Sequence, residues 1–209
     1  MDDLFDTLRP PVQTVAEGIT LLTGFADQSV LMPEIERIAA RSRFRHMRTP
    51  GGRMSVAMTN CGQFGWISDS KGYRYDETDP DTGENWPTMP LCFSDLAQRA
   101  ARRCGLDDFS PDACLINRYA PGASLGAHQD KDELDFSHPI VSVSLGLPAT
   151  FLIYGSKRSG KPLPVQLREG DVLVMQDAAR RAFHGVRKLA DGQSPIGPYR
   201  INLTLRRAR

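Results

Sequence analysis

Two segments in the first half of the chain repeat apolar residues at the spacing of an amphipathic helix. The first covers residues 29–41, and its apolar members are Leu31, Ile35, Ile38 and Ala39. Pro33 and Glu34 suit the N-terminal turns of that helix. The second covers residues 91–104, where arginines occupy the last turn and Gly105 stops the helix. The pattern therefore predicts two helices that each bury one face.

Shorter apolar runs surround these helices. Residues 18–25 and 54–59 have the composition of short strands, and a weakly patterned lead-in over residues 1–17 comes before them. After the second helix, short apolar runs alternate with tight turns from residue 112 to residue 206. Such a series is typical of a barrel or jelly roll. Because helices come first and strands after, we expect an α+β fold with one dominant β unit and a single domain over residues 1–209.

Residues 62–90 form a long stretch that is rich in turn signals such as DSKG and DPDTGENWP. A loop of this length inside a compact domain is usually either disordered or functional. Its four aromatic residues argue against disorder: Trp66, Tyr73, Tyr75 and Trp86. The alternative to a functional loop is a small hydrophobic cluster beneath it.

Several polar residues fall at strand positions that could be buried. Residues 113–119 are largely apolar on both faces, so Asn117 needs a hydrogen-bonding partner inside the protein. In residues 199–206, an apolar face alternates with a polar face made of Arg200, Asn202, Thr204 and Arg206. The simplest interpretation is that these arginines face water. The alternative is a barrel that holds an anionic ligand, because arginine offers paired planar donors to a carboxylate.

Composition and charge add two restrictions. Apolar residues make up 40% of the chain and charged residues 24%, with a net charge of +1, so the overall balance does not indicate a nucleic-acid binder. The four cysteines, Cys61, Cys92, Cys104 and Cys114, lack C-x-x-C spacing, which is typical of free thiols in a reducing compartment. No signal peptide and no long apolar span are evident, and we therefore expect a cytoplasmic protein.

One short motif carries candidate chemistry. His128 and Asp130 are two residues apart, so on an extended backbone both side chains point to the same face. If the fold brings His184 beside them, the three form a set of two histidines and one carboxylate. Such a set leaves positions open on the metal and is typical of non-haem Fe(II) oxygenases. An H-x-D motif alone is weak evidence for a metal site.

Four separated motifs, taken together and in order, resemble the AlkB family of Fe(II)- and 2-oxoglutarate-dependent oxygenases, which remove alkyl groups from nucleic-acid bases. They are N-R-Y (117–119), H-Q-D-K-D (128–132), F-H-G (183–185) and R-I-N-L-T-L-R (200–206). The likeness covers nearly the whole chain, and TPGGRMSVAMTNCG and PIVSVSLGLPA resemble the bacterial DNA-repair members. Two departures bear on the fit of a substrate. Gly126-Ala127 precedes His128 where a bulkier pair is usual, and the TPGGRMS segment is one residue short.

The resemblance implies a double-stranded β-helix, or jelly roll, over residues 112–209, with N-terminal helices and a nucleotide-recognition lid within residues 49–90. His128, Asp130 and His184 would bind Fe(II) and carry catalysis. The residues implied to hold 2-oxoglutarate are Asn117, Tyr119, Arg200, Asn202 and Arg206. The residues implied to meet the nucleotide are Trp66, Tyr73, Tyr75, Asp132 and Arg158. Among these, Trp66 would stack on the base together with the ring of His128. Asp132, also a candidate catalytic residue, would pair with the exocyclic amino group of the base or favour its positive charge.

The implied reaction couples decarboxylation of 2-oxoglutarate, with O2 as oxidant, to hydroxylation of a methyl group on a damaged base. Succinate and carbon dioxide are released, and the hydroxymethyl product yields formaldehyde and the repaired base. The expected partners are alkylated single-stranded or duplex DNA, and also RNA, with the base flipped or unpaired. Basic clusters at residues 41–53, 157–161 and 180–188 would follow the phosphate backbone. We expect a monomer with no membrane or obligate protein partner.

Two other functions remain open at this point. A 2-oxoglutarate oxygenase that hydroxylates a protein or a small molecule would share the metal and co-substrate residues, but would have no use for the aromatic loop and the basic clusters. A non-catalytic cupin-like binding domain would share the fold and would not turn over 2-oxoglutarate.

Overall fold

The computed structural model describes residues 9–49 and 51–209, and within those ranges it contains two α-helices and fifteen β-strands. The helices are α1 (Gln28–Arg41) and α2 (Leu91–Arg103). The strands before α2 are β1 (Val12–Ala16), β2 (Ile19–Leu22), β3 (Arg48–Thr49), β4 (Gly52–Arg53), β5 (Ala57–Gly62), β6 (Gly65–Asp69) and β7 (Gly72–Asp76). The strands after α2 are β8 (Ala113–Tyr119), β9 (Leu125–His128), β10 (Ile140–Gly146), β11 (Ala149–Gly155), β12 (Leu163–Leu167), β13 (Val172–Met175), β14 (Phe183–Val186) and β15 (Arg200–Arg206).

Both predicted helices are confirmed, but the start of α1 is set by a residue that the sequence analysis did not mark. The side chain of Asp27 accepts a hydrogen bond from the backbone N–H of Ser29 and caps the helix. Pro33 lies inside the helix and not in its first turn, so its predicted role at the N-terminus is wrong. The buried face of α1 carries Leu31, Ile35 and Ile38, as the apolar spacing predicts.

The strands form two main antiparallel sheets. The larger sheet has the order β1-β2-β13-β10-β15-β8-β5, and the smaller has the order β12-β11-β14-β9. One face of the larger sheet packs against α1 and α2 through a cluster that includes Phe93, Ile116 and Leu203. Its other face packs against the smaller sheet through a cluster that includes Leu173 and Phe151. This arrangement is the predicted jelly roll with helices on its outer side.

Strand register brings the polar strand residues together between the two sheets. In the pairing of β15 with β8, Asn202 is opposite Asn117 and Arg200 is opposite Tyr119. Alternation along β15 turns Ile201 and Leu203 toward the helices, so Arg200 and Asn202 face the smaller sheet. The interpretation that these arginines face water is wrong, because Arg200 is 1% exposed and Arg206 is 6% exposed.

The stretch over residues 62–90 is more ordered than its turn signals predict. Strands β6 and β7 form a hairpin within it, which we call the recognition hairpin (residues 65–76). Asp69 accepts a hydrogen bond from the backbone of Lys71 at its turn, and Gly72 takes a φ of 100°, so these turn residues belong to a tight hairpin and not to a loop. Trp86 is buried against Gly65 and supports the hairpin from below.

The N-terminal prediction is also corrected in part. Residues 1–8 of the predicted lead-in lie outside the described residues, but Val12–Ala16 forms β1 at the edge of the larger sheet. The strand predicted at 54–59 begins later, as β5 (Ala57–Gly62).

All four cysteines are free thiols. No helix among the described residues is long and apolar enough to cross a membrane.

Candidate metal centre and substrate cavity

His128, Asp130 and His184 converge at one end of the smaller sheet. His128 ends β9, and strand register places it directly opposite His184 on β14. The Nε2 atom of His128 lies 3.8 Å from Oδ1 of Asp130, and the Nε2 atom of His184 lies 3.7 Å from Oδ2 of the same carboxylate. One ligand atom from each residue falls within 4.8 Å of the others. The three side chains therefore form a set that can bind one metal ion from one side.

Hydrogen bonds at the far side of each ring orient the imidazoles. The Nδ1 atom of His128 lies 2.9 Å from the carbonyl oxygen of Gly126, and Nδ1 of His184 lies 2.9 Å from that of Ala182. A carbonyl can only accept, so each Nδ1 carries the proton and each Nε2 presents its lone pair to a metal. Burial lowers the pKa of His184 to about 4, which keeps this imidazole neutral at neutral pH.

Asp130 is held in its charged form. Burial by itself would raise the pKa of this carboxyl, but the guanidinium of Arg206 and the two histidines hold the pKa well below its usual range. The Nη2 atom of Arg206 lies 2.8 Å from Oδ2 of Asp130. Arg206 is thus a partner of a metal-ligand candidate, which orients the carboxylate in the way that outer partners of metal ligands do.

A cavity of about 610 Å³ opens above the three residues and runs between the two sheets. Its inner end is polar and its mouth is aromatic and basic. The predicted site residues that line it are Asn117, Tyr119, His128, Asp130, Asp132, Arg158, His184, Arg200, Asn202, Arg206, Trp66 and Tyr73. Gly126 and Ala127 line it as well, and apart from its chain neighbours no described residue comes within 4 Å of where a Cβ on Gly126 would stand. The cavity therefore has open space beside Gly126.

The inner end offers buried donors to an anion. Arg200 donates through Nη2 to the hydroxyl of Ser144 at 3.0 Å, while its Nε and Nη1 find no partner among the described residues. Its guanidinium carbon lies 5.1 Å from the ring centroid of Tyr119. Nitrogens without a protein partner on a buried guanidinium can donate to an anion in the cavity. A carboxylate group is an anion of the kind that these donors suit.

Two asparagines complete the inner end. Asn117 donates through Nδ2 to Oδ1 of Asn202 at 3.3 Å, which confirms the buried partner that the strand pattern requires. Asn202 in turn donates to the hydroxyl of Ser142 and to the carbonyl oxygen of Val143. Oδ1 of Asn117 has no partner among the described residues. These contacts fix both amides, so the inner wall is rigid before any ligand binds.

The recognition hairpin supplies the aromatic wall of the cavity. Trp66 lines the cavity and stacks with Tyr73, with 5.7 Å between ring centroids and an angle of 12° between the planes. The indole Nε1 of Trp66 donates to Oδ2 of Asp132 at 2.8 Å. The side-chain amide of Asn60 donates to the backbone carbonyl of Trp66 and accepts from the backbone N–H of Trp66. Tyr73 is half-exposed at the mouth, where a nucleic acid can reach it.

Tyr75 and Arg180 are placed differently from the predictions. Tyr75 is 6% exposed and bonded to Glu133 and Arg206, away from the cavity lining, so this placement does not support direct contact with a nucleotide. Arg180 is fully buried and contacts Glu133, so it is not part of a surface track for phosphates. Arg158 lies at the cavity mouth and donates through Nε to the carbonyl oxygen of Ala127 at 3.1 Å.

Sequence reasoning missed three polar residues of this region. Gln129 and Lys131 line the cavity beside the metal-ligand candidates. Glu133 is 5% exposed and pairs with buried arginines, although its place in an acidic run is typical of a solvated turn. Strict alternation with His128 and Asp130 predicts that Gln129 and Lys131 point away from the cavity, and no pattern in the sequence marks Glu133.

Comparison with known proteins agrees with this geometry. The family model of the 2OG-Fe(II) oxygenase superfamily matches residues 18–206. The alpha-ketoglutarate-dependent dioxygenase AlkB of Escherichia coli strain K12 is 49% identical over 212 aligned residues, which cover 100% of this chain and 98% of that protein. The tRNA demethylase abh1 of Schizosaccharomyces pombe is 32% identical over 163 residues, covering 69% of this chain and 52% of that protein.

A solved structure shows the same architecture. The structure of OsALKBH1 superposes with a TM-score of 0.84 at 30% identity and covers 94% of this chain and 100% of that chain. The match therefore covers nearly the whole chain. The chain belongs to the AlkB family of the 2OG-Fe(II) oxygenase superfamily.

Proposed function

We propose that this protein repairs N-alkylated nucleobases, such as 1-methyladenine and 3-methylcytosine, by oxidative dealkylation in DNA, preferably single-stranded, and also in RNA. The reaction uses Fe(II), O2 and 2-oxoglutarate. One observation carries the proposal: the three metal-ligand candidates lie in a cavity that has an unpaired buried arginine at one end and an aromatic wall at the other. A co-substrate carboxylate fits the first end, and a planar base fits the second.

The metal and co-substrate roles follow from the donors on the cavity wall. His128, Asp130 and His184 hold Fe(II), which when bound supplies the oxidising chemistry for which O2 and 2-oxoglutarate are consumed. Arg200, Asn202 and Tyr119 hold the distal carboxylate of 2-oxoglutarate. Arg206 and Asn117 lie toward the metal end of that molecule. The neutral imidazole of His184 and the charged carboxylate of Asp130 are in the protonation states that metal binding requires.

The reaction balances without a further reductant. One oxygen atom of O2 enters the carboxylate of succinate as 2-oxoglutarate loses carbon dioxide. The other becomes the hydroxyl of a hydroxymethyl group on the base nitrogen. The hydroxyl group then loses its proton, the carbon–nitrogen bond breaks with its electron pair staying on the nitrogen, and formaldehyde leaves. Neither product forms through a covalent bond to the protein. The chain therefore acts by binding and orienting 2-oxoglutarate and the damaged base and by excluding other molecules from the site.

The aromatic wall positions the damaged base. A methyl on the pairing edge is hidden in a duplex, so the base must be flipped or already unpaired. Trp66 and the ring of His128 are placed to stack on it, at roughly 1–3 kcal/mol per base for such stacking. Asp132 uses Oδ2 to accept from Trp66, and its other oxygen is available to the exocyclic amino group of the base. Tyr73 and Arg158 contact the flanking nucleotide from the mouth.

Basic side chains near the mouth supply the phosphate contacts. Arg48 and Arg53 are exposed and directly opposite each other in the β3–β4 hairpin, next to the cavity residues Thr49 and Met54. Like charges in directly opposite positions destabilise a strand pair unless an anion lies between them. A phosphate group between these arginines relieves that repulsion. Segment 49–90 thus serves substrate recognition, and residues 112–209 carry the catalytic core. Residue Pro50 of the shortened TPGGRMS segment lies outside the described residues.

The test is a substrate panel with two products measured in the same reaction. The protein with Fe(II) and 2-oxoglutarate is supplied with single-stranded DNA and RNA oligonucleotides that carry 1-methyladenine, with the duplex form, and with unmethylated controls. The proposal predicts that, with the methylated strands, formaldehyde equals the succinate formed in excess of the unmethylated controls. Succinate that rises only with a protein or a metabolite would indicate a different hydroxylase, and no 2-oxoglutarate turnover with any substrate would indicate a binding domain.

A further inference from the structure

A buried network of charged residues surrounds Asp130, and Tyr75, Glu133 and Arg180 in this network lie off the cavity lining. Its members are Asp130, Glu133, Arg180, Arg206 and the hydroxyl of Tyr75. Glu133, Arg180 and Arg206 are each between 0% and 6% exposed. Two carboxylates face two guanidinium groups, so the set is electrically balanced, as buried charges must be.

Arg206 is the centre of this network. Its Nη2 lies 2.8 Å from Asp130, its Nη1 donates to the hydroxyl of Tyr75 at 2.9 Å, and its Nε lies 3.4 Å from Oε1 of Glu133. The hydroxyl of Tyr75 donates in turn to Oε1 of Glu133 at 2.8 Å. Tyr75 and Glu133 thus contact each other and the guanidinium, in the orientation that puts Nη2 on Asp130.

The second carboxylate oxygen of Glu133 faces another buried arginine. Its Oε2 lies 3.6 Å from Nη2 of Arg180, whose Nε donates to the carbonyl oxygen of His138 at 2.8 Å. Arg180 belongs to the 3-10 helix (Asp177–Arg181), while Tyr75 belongs to β7 and Arg206 to β15. Glu133 therefore joins three elements that are distant in sequence, and none of its contacts requires a ligand.

Tyr75 connects the network to the aromatic wall. In the recognition hairpin, Tyr75 on β7 is directly opposite Trp66 on β6. Trp66 reaches the cavity, whereas Tyr75 reaches the buried network. The guanidinium of Arg209 lies 6.0 Å from the Tyr75 ring and packs against it from outside. The position of the hairpin and the orientation of the metal-ligand carboxylate therefore share one anchor.

We infer that Tyr75 and Glu133 are positioning residues that hold Arg206 on the Asp130 carboxylate and anchor the recognition hairpin to the metal centre. The inference rests on the proposed function only in taking Asp130 as a metal ligand. Outer partners of metal ligands typically change metal affinity by about 10- to 100-fold when removed. Tyr75 acts through Arg206, so we expect removal of its hydroxyl to weaken metal affinity by about three- to tenfold, below that range.

The experiment compares Tyr75→Phe and Glu133→Gln with wild type and with Tyr154→Phe. Tyr154 lies on β11 and does not line the cavity. Its substitution by Phe removes the same hydroxyl group away from the network and is therefore the control. Mn(II) is titrated into each metal-free protein without oxygen or nucleic acid, and 2-oxoglutarate is then titrated into the Mn(II) form. We expect the Mn(II) dissociation constant to rise about three- to tenfold for Tyr75→Phe and about tenfold or more for Glu133→Gln, with Tyr154→Phe equal to wild type.

A second readout separates positioning from general damage to the fold. Hydrogen exchange of the β7 amides should be faster in Tyr75→Phe and unchanged in Tyr154→Phe, since only the first variant releases the hairpin from Arg206. An unchanged Mn(II) affinity in both network variants would overturn the inference, whether or not their melting temperatures fall. The titrations contain no nucleic acid, so that result would leave the proposed repair activity standing. If the two network variants show these losses of Mn(II) affinity but the wild type releases no formaldehyde, only the proposed function is contradicted.

Discussion

The indole Nε1 of Trp66 donates a hydrogen bond of 2.8 Å to Oδ2 of Asp132. This contact joins the aromatic wall of the cavity to the segment that carries Asp130, two residues earlier in the chain. Under the proposed function, Asp132 has two roles, because the carboxylate that orients Trp66 would also offer an acceptor to a base. The stacking surface on Trp66 and the proposed polar contact on Asp132 are therefore joined by a hydrogen bond. Substitution of each residue separately can distinguish their roles.

Trp66→Ala should damage repair and spare the metal centre. Loss of base stacking, worth roughly 1–3 kcal/mol, should lower formaldehyde release from a methylated oligonucleotide by up to about a hundredfold. Slow conversion of 2-oxoglutarate to succinate without nucleic acid should continue, since the donors of the inner end do not contact Trp66. Both products are measured in one reaction, with a thermal melt as the folding control. A parallel fall of both products, or a much lower melting temperature, would make Trp66 a core residue.

Asp132→Asn should affect cationic and neutral lesions differently. The amide oxygen can still accept from Trp66, so the wall stays in place while the negative charge is removed. Activity on cationic 1-methyladenine should fall more than activity on a neutral adduct, because only a charged base is stabilised by a nearby carboxylate. The ratio of kcat/KM for the two lesions measures this effect. An unchanged ratio would limit Asp132 to orienting Trp66.

Arg200→Ala should raise the amount of 2-oxoglutarate required. Arg200 is buried and has two unpaired nitrogens toward the cavity. Hydrogen bonds to charged groups contribute about 1.5–3 kcal/mol, so the dissociation constant for 2-oxoglutarate should rise about 10- to 100-fold. Affinity for a methylated oligonucleotide should stay near that of wild type, and each ligand is titrated separately. If both affinities fall equally, Arg200 supports the fold and not the co-substrate.

The metal-free protein should lose stability as the pH falls below about 6.5. An unfolded histidine has a pKa of about 6.5, whereas burial lowers the pKa of His184 to about 4. Between these values the unfolded chain binds a proton that the folded chain does not, so the free energy of unfolding decreases as the pH drops. Asp130, with its depressed pKa, adds a loss in the same direction at lower pH. Urea unfolding at several pH values tests this.

His184→Gln provides the comparison for that measurement. The variant has no group at position 184 that titrates in this window, so its free energy of unfolding should depend less on pH between about 6.5 and 4. Parallel pH profiles for the variant and the wild type would show that His184 does not set the dependence.

The sequence predicts which site residues lie together when they are close in the chain or alternate along one strand. His128 and Asp130 are two positions apart, and alternation along β15 groups Arg200 with Asn202 and Arg206, so their convergence follows from local geometry. It could not show that these arginines are buried, because a polar strand face looks the same whether it meets water or a cavity. The register between the two sheets decides this, and it depends on contacts across the whole fold.

The roles of Tyr75 and Glu133 were beyond sequence reasoning for the same cause. Tyr75 bonds Glu133 across 58 positions and Arg206 across 131 positions. Neither spacing leaves a periodic signal. The sequence of the recognition hairpin predicts a loop, because its glycines and the Ser70-Lys71 turn limit each strand to five residues. Its cross-strand pairs, and not its composition, make it a hairpin.

The central claim is that His128, Asp130 and His184 bind one catalytic iron. The most direct measurement is anaerobic Fe(II) binding together with formaldehyde release from a methylated single-stranded oligonucleotide. It is made for His128→Ala, Asp130→Ala and His184→Ala, with His138→Gln as the matched histidine control outside the site. The account predicts that each of the three loses tight iron binding and formaldehyde release while keeping a folded structure, and that His138→Gln retains both. Turnover like that of wild type in any of the three, with iron as the only metal added, would contradict it.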